Sequence, residues 1–188
     1  KRKGAGAMKI LSFGAAMQST ALALMSCDNA IAQTLGRPVP FPKVPVYDAV
    51  IICDLGFEPP WVQAQADFVG QKCRSVGIFY TSLDAPLYQD LMRDFGKRRV
   101  VSIPWWTLSD DGHKSKMPRN CTLDYKVGLI SKYVRWELLG YRKGQRLKEE
   151  DKKAHEMHMG FSAEEKHRCK ENPNPMFVNR FPLVDMQL

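Results

Sequence analysis

The first hundred residues alternate between short apolar runs and longer segments of mixed polarity. Lys9–Phe13 reads as a buried strand, followed by a small-residue turn at Gly14–Gln18. A helix is expected from Ser19 to about Leu35, with Ser19 or Thr20 near its start and Gly36 at its end. Pro38, Pro40, Pro42 and Pro45 then exclude helix and imply an extended loop. Ala49–Asp54 is continuously apolar up to its last residue, the pattern of a strand covered on both faces. Pro60 opens a second helix, to about Ser75; Gly77–Thr81 reads as a third strand and Pro86–Phe95 as a third helix. Val100–Ile103 reads as a fourth strand, stopped by Pro104. Alternating strands and helices predict an α/β fold, a mostly parallel twisted sheet with helices on both faces.

Beyond Pro104 the pattern weakens. Trp105–Arg119 is polar and reads as an irregular loop, ordered by itself or by a substrate. Leu123–Leu139 reads as a fourth helix, Lys143–Lys153 as a solvated or mobile charged stretch, and His155–Phe161 as a last strand. The tail from Asn172, rich in Pro and Asn, is expected to wrap the surface. Lys1–Ala7 reads as an added leader before a natural start at Met8, and residues 8–188 as one domain.

Composition adds limits. No apolar run reaches the roughly 20 residues that span a bilayer, so no membrane association is expected. Cys27, Cys53, Cys73, Cys121 and Cys169 contain no CxxC pair, which argues against zinc, iron–sulfur clusters and a disulfide framework and for a reducing, cytoplasmic setting. A net charge of +8 favours an anionic partner, a nucleotide or a nucleic acid, although Lys1, Arg2 and Lys3 contribute part of it.

Chemistry concentrates at Ser12-Phe13-Gly14-Ala15-Ala16-Met17-Gln18-Ser19-Thr20. A strand feeds a turn of small residues and then a helix, so unpaired backbone N–H groups and the positive end of the helix dipole face the turn. Small residues let a phosphate approach the backbone. The competing reading is a tight turn with Ser19 as a helix cap.

This segment resembles the PP-loop of the adenine-nucleotide alpha-hydrolase superfamily, in its phosphoadenosine-phosphosulfate (PAPS) reductase-like branch, common in phage and prophage genomes. Further segments carry the resemblance in the same order: Asp54-Leu55-Gly56-Phe57-Glu58-Pro59-Pro60, Arg119-Asn120-Cys121-Thr122 with Tyr125-Lys126, Gly160-Phe161-Ser162-Ala163-Glu164-Glu165 with Arg168, and Phe181-Pro182-Leu183. The resemblance implies a Rossmann-like PP-loop fold and a site for ATP or a related adenine nucleotide with Mg²⁺. It implies nucleotide contacts from Ser12, Phe13, Gly14, Ala15, Ala16, Gln18, Ser19, Thr20, Asp54, Gly56, Glu58 and Arg168. Cleavage between the α- and β-phosphates, or adenylation of an acceptor, would be carried by Arg119, Lys126 and Asp54.

The sequence departs from the family pattern. Ala15 and Ala16 stand where the branch has glycines, and their methyl groups are expected to crowd the phosphates; a positive φ at either adds strain of roughly 1–2 kcal/mol. Leu55 replaces a threonine. No cysteine follows Cys169, so the reductase's C-terminal thiol motif is missing and sulfonucleotide reduction is not expected. A disabled loop leaves a second reading, a nucleotide-binding sensor or partner module without turnover.

Individual residues keep bland alternatives. Asp54 is a candidate to hold Mg²⁺ through water, or the nucleoside, or to cap a helix; Glu58 is a candidate helix cap. Arg119 and Lys126 suit phosphates or solvated surface. Arg168 suits a phosphate or a pair with Glu164. Cys121 is a possible thiol nucleophile or a small buried side chain. His155 and His158 suit a strand better than a metal site. Trp105-Trp106 suit stacking on a base or core packing. The expected partners are the adenine nucleotide, an unidentified acceptor, and a nucleic acid or partner protein, the basic Lys132–Lys170 region being the nucleic-acid candidate; a homo-oligomer is left open.

Overall fold

A computed structural model of the chain describes residues 6–56, 58–94, 106–116 and 123–188. The expected fourth strand at Val100–Ile103, together with Trp105, Arg119 and Cys121, lies outside the described residues.

The chain runs β1 (Lys9–Phe13), α1 (Met17–Thr34), β2 (Ala49–Asp54), α2 (Pro60–Ser75), β3 (Phe79–Asp84) and α3 (Leu87–Asp94). A hairpin of β4 (Trp106–Leu108) and β5 (Lys114–Lys116) follows. Next comes a helical run, with a wide π-type turn at Leu123–Val127, α4 (Gly128–Tyr133) and a second such turn at Val134–Leu138. The chain closes with β6 (His155–Met159), β7 (Phe177–Arg180) and α5 (Pro182–Asp185).

Five strands form one sheet in the order β3-β2-β1-β6-β7, with every neighbouring pair parallel. The α/β architecture is therefore the one read from the alternating pattern. Strand β1 is central: Ser12 lies opposite Ile51 of β2 on one side and Met159 of β6 on the other. Period-two alternation divides its side chains between two cores. Leu11 and Phe13 pack with Val50 and Ile52 beneath Leu22 and Ala23 of α1 and Val69 and Cys73 of α2. Ile10 packs with Ala49, Ile51 and Met157 against Ile130 and Val134 of the helical run. Each fully buried Leu, Ile or Val contributes about 1.5–3 kcal/mol of transfer free energy.

Two expectations are corrected. The tail does not simply wrap the surface, because Phe177–Arg180 joins the sheet beside β6. Its prolines and asparagines form only the approach: Asn172 Oδ1 accepts from the Asn174 amide (2.9 Å) and Asn174 Oδ1 from the Met176 amide (3.0 Å), which leaves Phe177 free to enter the core. The loop after Trp105 holds a hairpin over Trp106–Lys116. Asp111 Oδ1 accepts from the Ser109 hydroxyl and the His113 amide, and Gly112 takes φ 81°. The Asp111-Gly112 pair is a turn signal readable in the sequence. Trp106 is 70% exposed, so its ring is not core.

Strand β3 begins two residues later than expected and extends to Asp84, while α1 begins at Met17, before Ser19. The charged stretch at 143–153 forms turns and a short 3₁₀ segment, Glu149–Asp151.

Candidate functional site

Strand order reverses at β1. The chain steps outward through β2 and β3, then returns to the other side of β1 as β6. In a parallel sheet the loops leaving the carboxyl ends at such a reversal diverge and open a crevice. Here those loops are Gly14–Ala16 after β1 and Gly160–Ser162 after β6.

The turn after β1 is unusual in its backbone. Ala15 takes φ 52°, a left-handed conformation that costs a non-glycine residue roughly 1–2 kcal/mol. Ala15 is buried in the same core cluster as Phe13 and Leu22. Ala16 is exposed and extended (φ −90°) and supplies no side-chain cap to α1. Ser19 is not the cap but lies within the first turn. Its hydroxyl donates to the Ala16 carbonyl (3.1 Å) and accepts from the Gly14 amide (3.3 Å), pinning the turn across its base. The first intrahelical amide bond is Thr20 to Ala16 (3.0 Å), so amides ahead of it stand at the helix N-terminus without a side-chain acceptor.

Gly160 backs directly onto this turn. A Cβ there would lie 2.6 Å from the Ser19 nitrogen and 2.9 Å from the Gln18 carbonyl carbon, so only glycine lets β6 end against α1. Beyond it, Ser162 and Glu165 form a capping box on the 3₁₀ segment Ala163–Arg168. The S-x-x-E spacing of Ser162 and Glu165 is the local sequence signal for this cap. Arg168 stacks on the Phe161 ring (4.4 Å) and pairs with Glu165, not Glu164, because a 3₁₀ turn aligns residues three apart. Phe161 in turn stacks on Phe181 (centroids 5.7 Å, 12° between planes), which ties the closing segment to the same edge.

The second strand contributes Asp54. Its Oδ1 accepts from the Gly56 amide (2.8 Å) and its carbonyl from the Ala85 amide (2.8 Å), so it shapes its own turn, with Gly56 at φ 77°. Lys126, from the first wide turn of the helical run, reaches Glu58 at 4.0 Å, which places both beside this edge. The Lys126 carbonyl also faces the Cys53 thiol at 3.8 Å; burial pushes that thiol up to about 11. Thr20 accepts from Gln65 of α2 (2.6 Å), a cross-helix contact no local pattern announced. Ser12 and Phe13 end β1, Phe13 being buried and packed edge-on against Tyr80.

The residues singled out from four separate segments thus meet at one sheet edge. Arg119 and Cys121 lie outside the described residues. A small cavity of about 90 Å³ beside Asp54 and Glu58 continues between α2 and β3, lined also by Gln63, Tyr80 and Ser82. Larger cavities among the described residues, of about 290, 470, 530 and 760 Å³, are lined by other residues.

Two histidines are buried in β6. His155 is fully buried and accepts from the Met8 amide (3.2 Å); His158 meets Glu156 at 3.1 Å and packs edge-on against Tyr47. Burial holds both imidazoles below their ordinary range. Among the described residues no cluster of His, Cys, Asp and Glu could hold a metal ion. Cys27 and Cys73, far apart in sequence, sit 3.9 Å apart between α1 and α2; their hydrogen bond lowers the Cys27 thiol and raises that of Cys73. No described helix is long and apolar enough to cross a membrane. A scan against protein-family models and a search of curated proteins each return no match.

Proposed function

We propose that the chain is an adenine-nucleotide-binding domain of the PP-loop, PAPS reductase-like type that cleaves ATP between its α- and β-phosphates, or adenylates an acceptor there. The supporting observation is the uncapped N-terminus of α1 placed at the reversal of strand order, with Gly160 closing one side and Asp54, Glu58 and Lys126 on the other.

The residues present fit such a ligand. Amides at the start of α1 suit phosphate oxygens, and the helix dipole favours the negative charge. Lys126 is a cation 4.0 Å from the Glu58 carboxylate, able to exchange Glu58 for a phosphate. Asp54 keeps its turn with one oxygen and has a second for a hydrated cation. Mg²⁺ bound with the nucleotide would supply charge neutralisation on the phosphates. In the reaction an acceptor oxygen bonds to the α-phosphorus and the bond to the α–β bridging oxygen breaks. Pyrophosphate leaves with the electron pair, and the acceptor's proton passes to water. The protein's part is positioning and preorganised donors; Arg119 keeps its proposed role from the sequence.

The test is product analysis after incubation with ATP and Mg²⁺. AMP with pyrophosphate is the expected outcome, and ADP with phosphate as the only products would contradict the reading. A second reading, nucleotide binding without turnover, is favoured by the pairing of Lys126 with Glu58 and by the buried Ala15 in its left-handed turn. It predicts retained nucleotide and no product over hours.

A further inference from the structure

A basic groove runs along the helical segment that follows Lys126. Val127, Gly128, Ser131, Lys132, Arg135 and Trp136 recur at the i, i+4 spacing that puts them on one stripe of the helix. This stripe lies beside the core stripe of Ile130 and Val134. It forms one wall of a groove of about 760 Å³, whose other wall carries Arg146 and the approach to β7 at Pro173–Pro175.

The lining decides what fits. It contains Lys132, Arg135 and Arg146 and no carboxylate. Glu137, next along the helix, lines a different cavity. Cations on both walls surround the groove, with Lys132 and Arg146 exposed. Trp136 is 37% exposed at the same wall, and the Arg135 guanidinium lies over the Tyr141 ring at 5.4 Å. The Ser131 hydroxyl and Arg135 Nε are buried with no partner among the described residues. Both are covered, so an oxygen reaches them only after a side-chain shift, and first contact falls to the exposed Lys132 and Arg146.

We propose that this groove binds single-stranded nucleic acid, its phosphates held by Lys132, Arg135 and Arg146 and a base stacked on Trp136. An acidic peptide would satisfy the cations but offer Trp136 no flat partner, whereas a positive groove with an aromatic platform suits any single strand. The site is separate from the nucleotide edge and does not rest on the reading given there.

The experiment is fluorescence anisotropy with a labelled 12-nucleotide single-stranded oligonucleotide, repeated across a salt series on the full chain. Three phosphate contacts predict a slope of log affinity against log salt of about −2. The double variant Lys132→Glu/Arg146→Glu is expected to lose at least about ten-fold in affinity, and Trp136→Ala about ten-fold through stacking. Both variants are expected to keep the wild-type circular-dichroism spectrum and urea-unfolding midpoint, which shows that they fold, and Asp54→Ala is expected to keep oligonucleotide binding. Salt-independent binding, unchanged affinity in the charge-reversed variant, or no binding at 50 mM salt overturns the proposal. Equal competition by poly-glutamate with no effect of Trp136→Ala overturns it in favour of a generic polyanion surface.

Discussion

The turns after β1 and β2 do the same topological job and solve it oppositely. After β2, the left-handed position is a glycine, Gly56 at φ 77°, and its amide is taken by Asp54. The helix beyond starts with Pro59 and Pro60, which have no amide to offer. After β1, the left-handed position is Ala15, and the helix beyond starts with amides that no side chain caps. One turn is relaxed and satisfies itself; the other is strained and keeps donors available. Strain retained where the neighbouring structure over-determines the backbone is characteristic of binding turns.

Substitutions separate the two turns, and the largest effect is expected at Gly160→Ala. The new Cβ meets backbone, not a flexible side chain, so β6 and the first turn of α1 must part. A loss of about 1–3 kcal/mol in denaturant unfolding is expected, with weakened nucleotide binding. Gly56→Ala has room, its Cβ lying 3.6 Å from Tyr88 Cβ, but places alanine at φ 77°. It is expected to cost about 1–2 kcal/mol and to leave the turn after β1 intact. Asp54→Ala removes one hydrogen bond at a partly exposed turn, about 1 kcal/mol, and is expected to reduce ATP turnover more than stability. The smallest effect is expected at Ala15→Gly. Relief of the left-handed penalty is offset by the backbone freedom of glycine and the lost buried methyl, leaving a net change within about 1 kcal/mol. A large stabilisation there would show that Ala15 is more strained than its φ suggests; a large loss would show that its methyl anchors the turn.

Much of this was legible beforehand, for identifiable reasons. Ala49–Asp54 announced a doubly covered strand because it is apolar at every position but the last, and the structure gives the same boundaries. Pro60 marked the start of α2 because proline fits the first turn of a helix. The tail strand at Phe177 was hidden because prolines and asparagines dominate its approach, and only long-range pairing with β6 reveals it. At the candidate site, the sequence named the segments but not their contacts. Gly160 against Ser19, Gln65 with Thr20, and Lys126 with Glu58 join residues far apart in the chain, and no local periodicity encodes them. The burial of Ala15 was not legible either, because it follows from a left-handed backbone angle that a run of small residues does not announce.

The central claim is that the turn after β1 receives the nucleotide's phosphates. The most direct test is an amide ¹H–¹⁵N NMR titration of the full chain with ATP and Mg²⁺. The account predicts the largest shifts at Gly14–Ser19 and Gly160, smaller ones near Asp54 and Lys126, and none along Lys132–Trp136. Saturable binding that leaves the amides of Gly14–Ser19 unmoved would contradict it.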